Sequence, residues 1–334
     1  MATRKWIIIV PVLLITVYLC GPAPHKPAYG VTMPAVPSAA KDLESYVRKR
    51  ESEHKLKPDN EARIIWYNDS LENKTRYAIV YLHGFSASQF EGVPTHTIIA
   101  KMFGCNLYLS RLAEHGIDTI DALANLTADK YWESAKEALA IGRQLGEKVI
   151  LMGTSTGGSN ALQLAATYPN DVAALILLSP NIAINDPNAW ILNNHWGQQI
   201  ANLILGSNYN TAKDNRPLYK QYWNYKYRLE GPVALQEMLE TTMLPETFKK
   251  ITQPLLLLYY YKDEQHQDAV VKVSEMKKMF DELGTTLKKQ VAMPNTGDHV
   301  IGSSFKSKDV AGVQKEIIEF IKQDLQIKPA ANEK

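Results

Sequence analysis

Apolar runs of strand length alternate with segments of helical periodicity along most of this chain. The strand-like runs read RIIWYN, YAIVYLHGF, NLYLSRL, KVILMG, VAALILLSP, QPLLLLYYY and LKKQVAMP. Between them, ADKYWESAKEALAIGRQL, SNALQLAATYP and VAGVQKEIIEFIKQDL carry apolar residues at helical spacing. A strand that is apolar throughout must be covered on both faces, so the alternation predicts a mostly parallel sheet flanked by helices, an α/β fold. Ligands of such sheets bind beyond the carboxyl ends of the strands.

One long segment interrupts the alternation. Residues 181–253 contain no strand-like run and are rich in aromatic side chains: Trp190, Trp196, Tyr209, Tyr219, Tyr222, Trp223, Tyr225 and Tyr227. Because this segment falls between two core strands, we expect a mostly helical cap inserted over the carboxyl edge of the sheet. Most of the aromatic residues are expected to hold cap helices together, and some to line a pocket. The core then comprises residues 39–180 and 254–327.

The first 38 residues differ in pattern from the rest of the chain. Arg4 and Lys5 precede an apolar run from Trp6 to Cys20, which has the length of the apolar part of a secretory signal. Residues 1–20 therefore predict an uncleaved signal anchor with the rest of the chain exported, or alternatively a lipoprotein signal with lipid on Cys20. Residues 21–38 are rich in proline and predict a semi-extended tether.

Overall composition excludes several classes of protein. The chain has 37 Lys and Arg against 35 Asp and Glu, and the net charge of +2 gives no reason to expect a nucleic-acid partner. Cys20 and Cys105 do not make a disulfide framework, and Cys105 lies in an apolar run typical of a buried strand.

A serine between glycines follows the strand-like run KVILM. Residues 153–157 read Gly-Thr-Ser-Thr-Gly and lie between a strand and a helix, the context of the nucleophile elbow, where a sharp turn presents the serine hydroxyl above the sheet. A phosphate-binding loop also links a strand to a helix, but no lysine follows here and the spacing is not G-x-G-x-x-G. Ser155 is therefore the predicted nucleophile.

A serine hydroxyl needs a base, which a carboxylate orients. In this topology the order along the chain is serine, acid, histidine, each after a later strand. His299, in the loop NTGDHVIGS after the last strand-like run, is the predicted base. The acid is Asp268 or Asp263: the strand end points to Asp263 and the start of the next helix to Asp268, and the local sequence Asp-x-Val-Val favours Asp268.

Two backbone N–H groups are needed to bind the negative oxygen that forms when the serine attacks a carbonyl. One is expected from Thr156, directly after the nucleophile. The other is expected from Phe85, the last residue of YLHGF, in the loop that follows this strand. His83 is interpreted as a structural residue that holds this loop by hydrogen bonds.

The motifs YLHGFSAS, GTSTGG, LILLSPN and NTGDHVIG, in this order, resemble the α/β-hydrolase superfamily. Within it, LYLSRLAEHGID and the segment leading to GTSTGG resemble the bacterial carboxylesterase and monoacylglycerol-lipase branch. The resemblance covers about Arg63 to Leu325. The chain departs from the branch at Glu114, where a glycine is usual, and in its lengthened acid loop.

The resemblance implies an α/β-hydrolase fold with a helical cap and ester hydrolysis through an acyl-enzyme on Ser155, with no metal or organic cofactor. The implied substrate is a small or lipid-like ester. The N-terminal segment lies outside the resemblance, and its own sequence predicts attachment to a membrane with the hydrolase domain on the periplasmic side of a bacterial cell. The same residues would also serve a thioesterase, an amidase or a peptidase, and the fold could be a noncatalytic membrane-tethered binding module. A dehalogenase is disfavoured, because that chemistry usually needs an aspartate at the elbow.

Overall fold

A single seven-stranded sheet forms the centre of the molecule. The computed structural model describes the backbone of residues 2–330 and the side chains of residues 11–330. The strands are β1 (Arg63–Ile65), β2 (Thr75–Leu82), β3 (Asn106–Leu109), β4 (Gly146–Thr154), β5 (Val172–Leu178), β6 (Tyr209–Thr211), β7 (Lys226–Arg228), β8 (Leu255–Tyr259) and β9 (Lys288–Ala292). Seven of them pair in the order β1-β3-β2-β4-β5-β8-β9. Only β1 runs antiparallel to its neighbour, so the predicted mostly parallel sheet is confirmed.

Helices cover both faces of this sheet. The helices of the described residues, including those of the N-terminal segment and the cap, are α1 (Ala2–Leu19), α2 (Ala40–Ser52), α3 (Thr95–Met102), α4 (Ala128–Leu145), α5 (Thr156–Thr167), α6 (Gly197–Leu205), α7 (Pro217–Tyr222), α8 (Glu230–Thr242), α9 (Pro245–Lys249), α10 (Val273–Glu282) and α11 (Val310–Glu319). Single turns of 3-10 helix occupy Gln89–Gly92 and Ala189–Asn193, and a π-helical turn, Phe320–Asp324, follows α11.

Alternate residues of the central strands contribute to two separate core layers. In β2, Val80 packs in the layer that contains the inner faces of α4 and α5, whereas Ile79 packs in the layer that contains those of α3 and α11. Successive side chains of a strand point to opposite faces, so a strand buried on both sides must be apolar at every position. This requirement explains the unbroken apolar runs of β2, β4, β5 and β8.

The inserted cap contains a short β-ribbon as well as helices. Strands β6 and β7 pair antiparallel, so the prediction that residues 181–253 contain no strand is wrong. Each strand has only three residues, too few to give a recognisable alternation. Side-chain contacts across the pair stabilise it: Asn210 Nδ2 donates to Tyr227 Oη at 2.6 Å, and Lys226 Nζ lies 4.3 Å from the ring centre of Tyr209.

The proline-rich segment after α1 is extended, but it is bound to the core along part of its length. Gly30 C=O accepts hydrogen bonds from Trp132 Nε1 at 2.8 Å and from Lys136 Nζ at 2.6 Å. Lys136, only 2% exposed, also donates to Thr32 C=O at 2.9 Å. Residues 28–32 therefore belong to the folded domain, unlike a free tether. Over residues 2–330, the helices include none with both the length and the apolar character that crossing a membrane requires.

Replacing Lys136 with methionine, a side chain of similar length, is expected to lower the free energy of unfolding by about 2 kcal/mol, since the carbonyl groups of Gly30 and Thr32 lose the buried ammonium group that donates to them. Urea denaturation measures the effect. The matched control is Lys278→Met, because the side chain of Lys278 is 65% exposed and lies 3.9 Å from Glu275. That change is expected to cost less than about 0.5 kcal/mol. Equal effects of the two substitutions would contradict a structural role for the bound segment.

Candidate active site

Ser155 is the single residue between β4 and α5, and its backbone is strained. Its φ is 53° and its ψ is −123°, a conformation that residues with a side chain rarely adopt. The turn needs glycine at Gly157, because a Cβ there would overlap the carbonyl oxygen of Leu82. A Cβ on Gly153 would lie 2.5 Å from the carbonyl oxygen of Gly157. The spacing of glycines around the serine therefore follows from the close approach of β4, α5 and β2.

The start of α5 faces the same point. Thr156 is the first residue of this helix, and the first N–H groups of a helix have no acceptor within it. The positive end of the helix dipole is also located here. Ser155 N–H donates to Leu178 C=O at 2.9 Å, which ties the turn to β5. The turn is thus rigidly held, with unpaired donors beside the serine.

A histidine–carboxylate pair follows the last two strands of the sheet. His299 Nδ1 donates to Asp268 Oδ2 at 2.6 Å. The second oxygen of Asp268 accepts the N–H groups of Val270 at 2.9 Å and Val271 at 3.1 Å. Because a carboxylate can only accept, its position fixes the proton of a neutral His299 on Nδ1 and leaves Nε2 as the free basic nitrogen.

Burial and charge compete in setting the two pKa values of this pair. Burial alone would lower the pKa of His299, but the charge of Asp268 and its hydrogen bond outweigh that effect and raise the pKa above its ordinary value. Burial alone would raise the pKa of Asp268, yet the charge of His299 and its hydrogen bond, with the N–H groups of Val271 and Val270, keep the pKa below its ordinary value. Asp268 is therefore ionised at neutral pH.

Asp263, the other candidate acid, contacts a different histidine. His266 Nδ1 lies 2.8 Å from Asp263 Oδ1, and the two side chains are 61% and 48% exposed. Tyr261 and Gln267 form an isolated antiparallel bridge that closes this loop. The extra residues of this loop explain why the end of the strand pointed to Asp263 and the start of the next helix to Asp268, five residues later. Of the two candidates, Asp268 is the one that the structure brings to His299.

Ser155 and His299 line one cavity of about 550 Å³ below the cap. His299 Nε2 is buried and has no hydrogen-bond partner among the described residues. A bond between nucleophile and base is often long in a free enzyme and tightens when substrate binds.

The cavity wall combines apolar side chains with polar ones: Phe85, Ile184, Ala189, Leu192, Leu235, Val270, Glu91, Asn181, Asp186, Asn210, Asp298 and Lys306. Three of the eight cap aromatics singled out in the sequence also line it: Tyr219, Trp223 and Tyr227.

The loop after β2 leaves one N–H group free next to Ser155. Gly84 C=O accepts a bond from His83 Nδ1 at 2.9 Å, and Ser86 N–H donates to His115 Nε2 at 3.0 Å. Phe85 N–H, between them, has no acceptor among the described residues. Phe85 and Thr156, the two residues predicted to supply N–H donors, both line the cavity.

Two buried histidines hold this loop in place. Burial lowers the pKa of His83 to about 4 and that of His115 well below its ordinary value, so both rings are neutral at physiological pH. A neutral ring has one accepting nitrogen, and here His83 Nε2 accepts from Leu112 N–H at 3.0 Å. His83 therefore holds the loop by hydrogen bonds, as its sequence context suggested. The contact of His115 with Ser86 was not foreseen, although the unusual Glu-His-Gly turn marked that position.

No group of three or more His, Cys, Asp or Glu side chains within residues 11–330 is arranged to hold a metal ion.

Glu91 lines the cavity but was not predicted from the sequence. It lies on the turn Gln89–Gly92. No motif or spacing marks it, because its position depends on how this single turn folds back onto the loop after β2.

The sheet topology and the strand–serine–helix turn define the class of the protein as an α/β-hydrolase, as the sequence motifs predicted. The sequence profile of a family described as serine aminopeptidase, S33, matches residues 127–301, more than half of the chain. The chain belongs to this family. The matched region includes Ser155, Asp268 and His299. No curated protein sequence matches the chain.

Solved structures with the same fold include three that cover most of this chain. One comes from a study of the metagenome-derived lipolytic enzymes LipS and LipT; the TM-score is 0.65 at 16% identity, over 80% of this chain and 100% of that one. The monoacylglycerol lipase of Paleococcus ferrophilus has a TM-score of 0.58 at 14% identity, over 78% of this chain and 97% of that one. Est1E from Butyrivibrio proteoclasticus, with ferulic acid bound, has a TM-score of 0.54 at 17% identity, over 79% of this chain and 95% of that one. At these identities the likeness establishes the fold.

Proposed function

We propose that the protein is a serine hydrolase that cleaves carboxylic esters through an acyl-enzyme intermediate. The observation that carries the proposal is the hydrogen bond of His299 to Asp268 on the wall of the cavity that also contains Ser155 at its elbow. A serine, a histidine with a free Nε2 and an orienting carboxylate are the three groups that acyl transfer to a hydroxyl requires.

In the first half-reaction, His299 Nε2 accepts the proton of Ser155 Oγ as that oxygen attacks the ester carbonyl carbon. The carbonyl oxygen becomes negative and is stabilised by the N–H groups of Phe85 and Thr156. Asp268 stabilises the positive charge that forms on the imidazole. The proton then passes from Nε2 to the oxygen of the leaving alcohol, the bond from the carbonyl carbon to that oxygen breaks, and an acyl-serine remains.

In the second half-reaction, His299 Nε2 accepts a proton from water as the water oxygen attacks the acyl carbon. The same N–H groups stabilise the second oxyanion. The bond from that carbon to Ser155 Oγ then breaks, and Nε2 returns the proton to Oγ. The products are a carboxylic acid and the regenerated serine. Every proton transfer uses the chain's own residues and water.

The cavity supports esters of small or lipid-like acids as the substrate class. Its volume of about 550 Å³ lies within the range of sites for small organic molecules. Apolar side chains such as Leu192, Leu235 and Val270 favour a short hydrocarbon group, and polar ones such as Asn181 and Asn210 offer hydrogen bonds. The lipase and esterase names of the structural relatives agree with this class.

Peptide hydrolysis is the second candidate function. It is favoured by the description of the family, serine aminopeptidase, and by three carboxyl groups on the cavity wall, those of Glu91, Asp186 and Asp298, which suit a substrate ammonium group. The same triad would serve, since an amide differs from an ester only in the leaving group. Thioesterase activity, amidase activity and a noncatalytic binding role are the other candidate functions of the same fold.

A substrate panel tests the proposal and separates these candidates. We expect the full-length protein to hydrolyse p-nitrophenyl esters from acetate to laurate, with a maximum at short or medium acyl chains. Aminoacyl p-nitroanilides and acyl thioesters are the comparison substrates. Faster turnover of an aminoacyl anilide than of every ester would replace the esterase assignment with a peptidase one. Absence of turnover on the whole panel would favour a noncatalytic role.

The pH dependence of kcat/KM is expected to have an acid limb above the ordinary pKa of histidine, because the pKa of His299 is raised from 6.5 by Asp268 in spite of burial. His299 acts as a base only when neutral, so activity falls as the pH drops through this pKa. The profile is measured with a neutral ester, so that the substrate does not titrate. An acid limb below the ordinary value of about 6.5 would contradict the coupling of His299 to Asp268.

We propose further that residues 1–20 direct export of the chain and retain it at a membrane. Support comes from Arg4 and Lys5 before the apolar run, and an exposed cysteine at Cys20 allows the lipoprotein alternative. Fractionation of cells that express the full chain tests the idea, with mass spectrometry of the N-terminal peptide to detect lipid. Recovery of all the protein in the soluble cytoplasmic fraction would contradict it.

A further inference from the structure

Glu91 is a buried carboxyl group on the wall of the cavity. Its side chain belongs to the 3-10 turn Gln89–Gly92, and the residue is only 3% exposed. Glu91 Oε2 accepts the N–H of Gly84 at 2.6 Å, a short bond between a backbone donor and a carboxyl oxygen. The reaction steps assigned to Ser155, His299 and Asp268 make no use of this group. A buried carboxyl group is costly to maintain, so its contact with the loop after β2 calls for an explanation.

Only a glycine separates Glu91 from the nucleophile. A Cβ built on Gly84 would lie 2.9 Å from each carboxyl oxygen of Glu91 and 2.9 Å from Cβ of Ser155. Any side chain at this position would push the carboxyl group and the serine apart. The structure therefore places the carboxyl group, the Gly84 backbone and Ser155 in direct succession.

Glu91 completes the set of bonds that fixes the loop around Phe85. The peptide that carries the Phe85 N–H is held at its carbonyl end, where Gly84 C=O accepts from His83 Nδ1 at 2.9 Å and from Ala87 N–H at 3.2 Å. In a trans peptide the N–H points opposite to the C=O, so these bonds set the direction of the Phe85 N–H. The preceding peptide joins His83 to Gly84, and its N–H group donates to Glu91 alone. Without that bond, Gly84 would be free to rotate.

We propose that Glu91 is a positioning residue for the oxyanion site: by accepting the N–H of Gly84, it holds the loop so that the free N–H of Phe85 stays directed at the carbonyl oxygen of the substrate. This inference rests on the proposed function. It assigns Glu91 a role through Phe85 rather than contact with the reacting atoms. A displacement of about 1 Å in such a donor costs about 100-fold in rate.

The charge of Glu91 adds a pH dependence. Burial raises the pKa of Glu91 to about 7, in spite of the bond from Gly84 and the positive charge of His299. The other titratable groups that interact with it are Asp298, Lys306, Tyr81, Tyr131 and Tyr219. Below about pH 7 the carboxyl group is neutral, and above it the negative charge opposes the developing oxyanion. Ionisation of Glu91 is therefore expected to lower kcat on the alkaline side.

Three variants test the inference in the full-length protein with a short p-nitrophenyl ester. Glu91→Gln keeps an oxygen that accepts the Gly84 N–H and is neutral at every pH. Glu91→Leu keeps the approximate volume but has no acceptor. Gln89→Leu is the matched control, because Gln89 lies on the same turn and its side chain bonds Asp59 C=O at 3.3 Å, not the loop around Phe85.

We expect Glu91→Leu to lower kcat about 100-fold while KM changes less than about threefold, because the lost interaction acts in the transition state. Glu91→Gln is expected to retain kcat within about threefold at pH 6.5 and to lose the alkaline decline of the wild type. Gln89→Leu is expected to change kcat by less than about twofold. Binding of a tetrahedral boronic-acid inhibitor should weaken in parallel with kcat in Glu91→Leu.

Several results would overturn the inference. They are full activity of Glu91→Leu, an equal loss in Glu91→Leu and Gln89→Leu, or a loss in Glu91→Gln as large as that in Glu91→Leu. If Glu91→Leu does not fold, the dependence of kcat on pH in Glu91→Gln decides. An alkaline decline in kcat identical to that of the wild type would contradict the inference. Failure of the wild-type protein to hydrolyse any ester would instead contradict the proposed function, on which the inference depends.

Discussion

Replacing Ser155 with alanine is expected to lower kcat for ester hydrolysis by about a million-fold, to the level left by binding and the oxyanion site alone. The reason is chemical: in the proposed mechanism the covalent intermediate forms on Ser155 Oγ, and no other hydroxyl occupies the strained elbow between β4 and α5. The fold should be preserved, because alanine removes only the Oγ atom of Ser155.

Ser86→Ala is the matched control for this experiment, since Ser86 is the other serine that lines the cavity. Its hydroxyl has no part in the proposed reaction, and we expect a loss of less than about tenfold. Single-turnover kinetics with a short p-nitrophenyl ester measure both variants. A large loss of kcat in Ser86→Ala with a small loss in Ser155→Ala would show that Ser155 is not the nucleophile.

Replacing Asp268 with asparagine is expected to lower kcat about ten-thousand-fold without unfolding the protein. An asparagine side chain offers His299 an N–H donor where the carboxylate accepted a hydrogen bond from Nδ1. The ring would then carry its proton on Nε2, and the nitrogen that faces Ser155 could no longer act as a base. The loss should be in kcat rather than KM, because the substrate does not contact Asp268.

Asp263→Asn is the matched control for the acid. Asp263 lies on the same loop, at 48% side-chain exposure, and pairs with His266. Its replacement is expected to leave kcat within about twofold of the wild type. The pair of variants decides between the two acids that the sequence left open. A large loss in Asp263→Asn with little effect in Asp268→Asn would reverse the assignment.

The parts of the fold that could be predicted from the sequence are those determined by local pattern. The unbroken apolar runs of β2, β4, β5 and β8 follow from burial on both faces of the sheet. The elbow could be recognised because Gly153 and Gly157 are required by close backbone contacts. His299 could be located because the order of groups along the chain is fixed by the topology.

The parts that could not be predicted depend on contacts between distant segments. Strands β6 and β7 are too short for a pattern and are held by the contact of Asn210 with Tyr227. Residues 28–32 read as a tether because nothing in their sequence reveals that Lys136, more than 100 residues later, binds their carbonyl groups. Glu91 gave no signal for the same reason: its partner, Gly84, is defined by the folded loop.

The acid is an intermediate case. Local sequence favoured Asp268, but the loop that carries Asp263 obscured the strand end from which the position is counted. The bridge of Tyr261 with Gln267 shows why: the extra residues close on themselves before the chain continues to Asp268. A pattern based on spacing fails at an insertion, whereas the hydrogen bond to His299 does not depend on spacing.

The most direct test of the account is to identify the residue that becomes covalently modified. The full-length protein is treated with a fluorophosphonate and digested, and the adduct is located by tandem mass spectrometry. We predict a single adduct on Ser155, absent in Ser155→Ala and formed much more slowly in His299→Gln. Modification of a different residue, or none in a folded protein that still hydrolyses esters, would contradict the account.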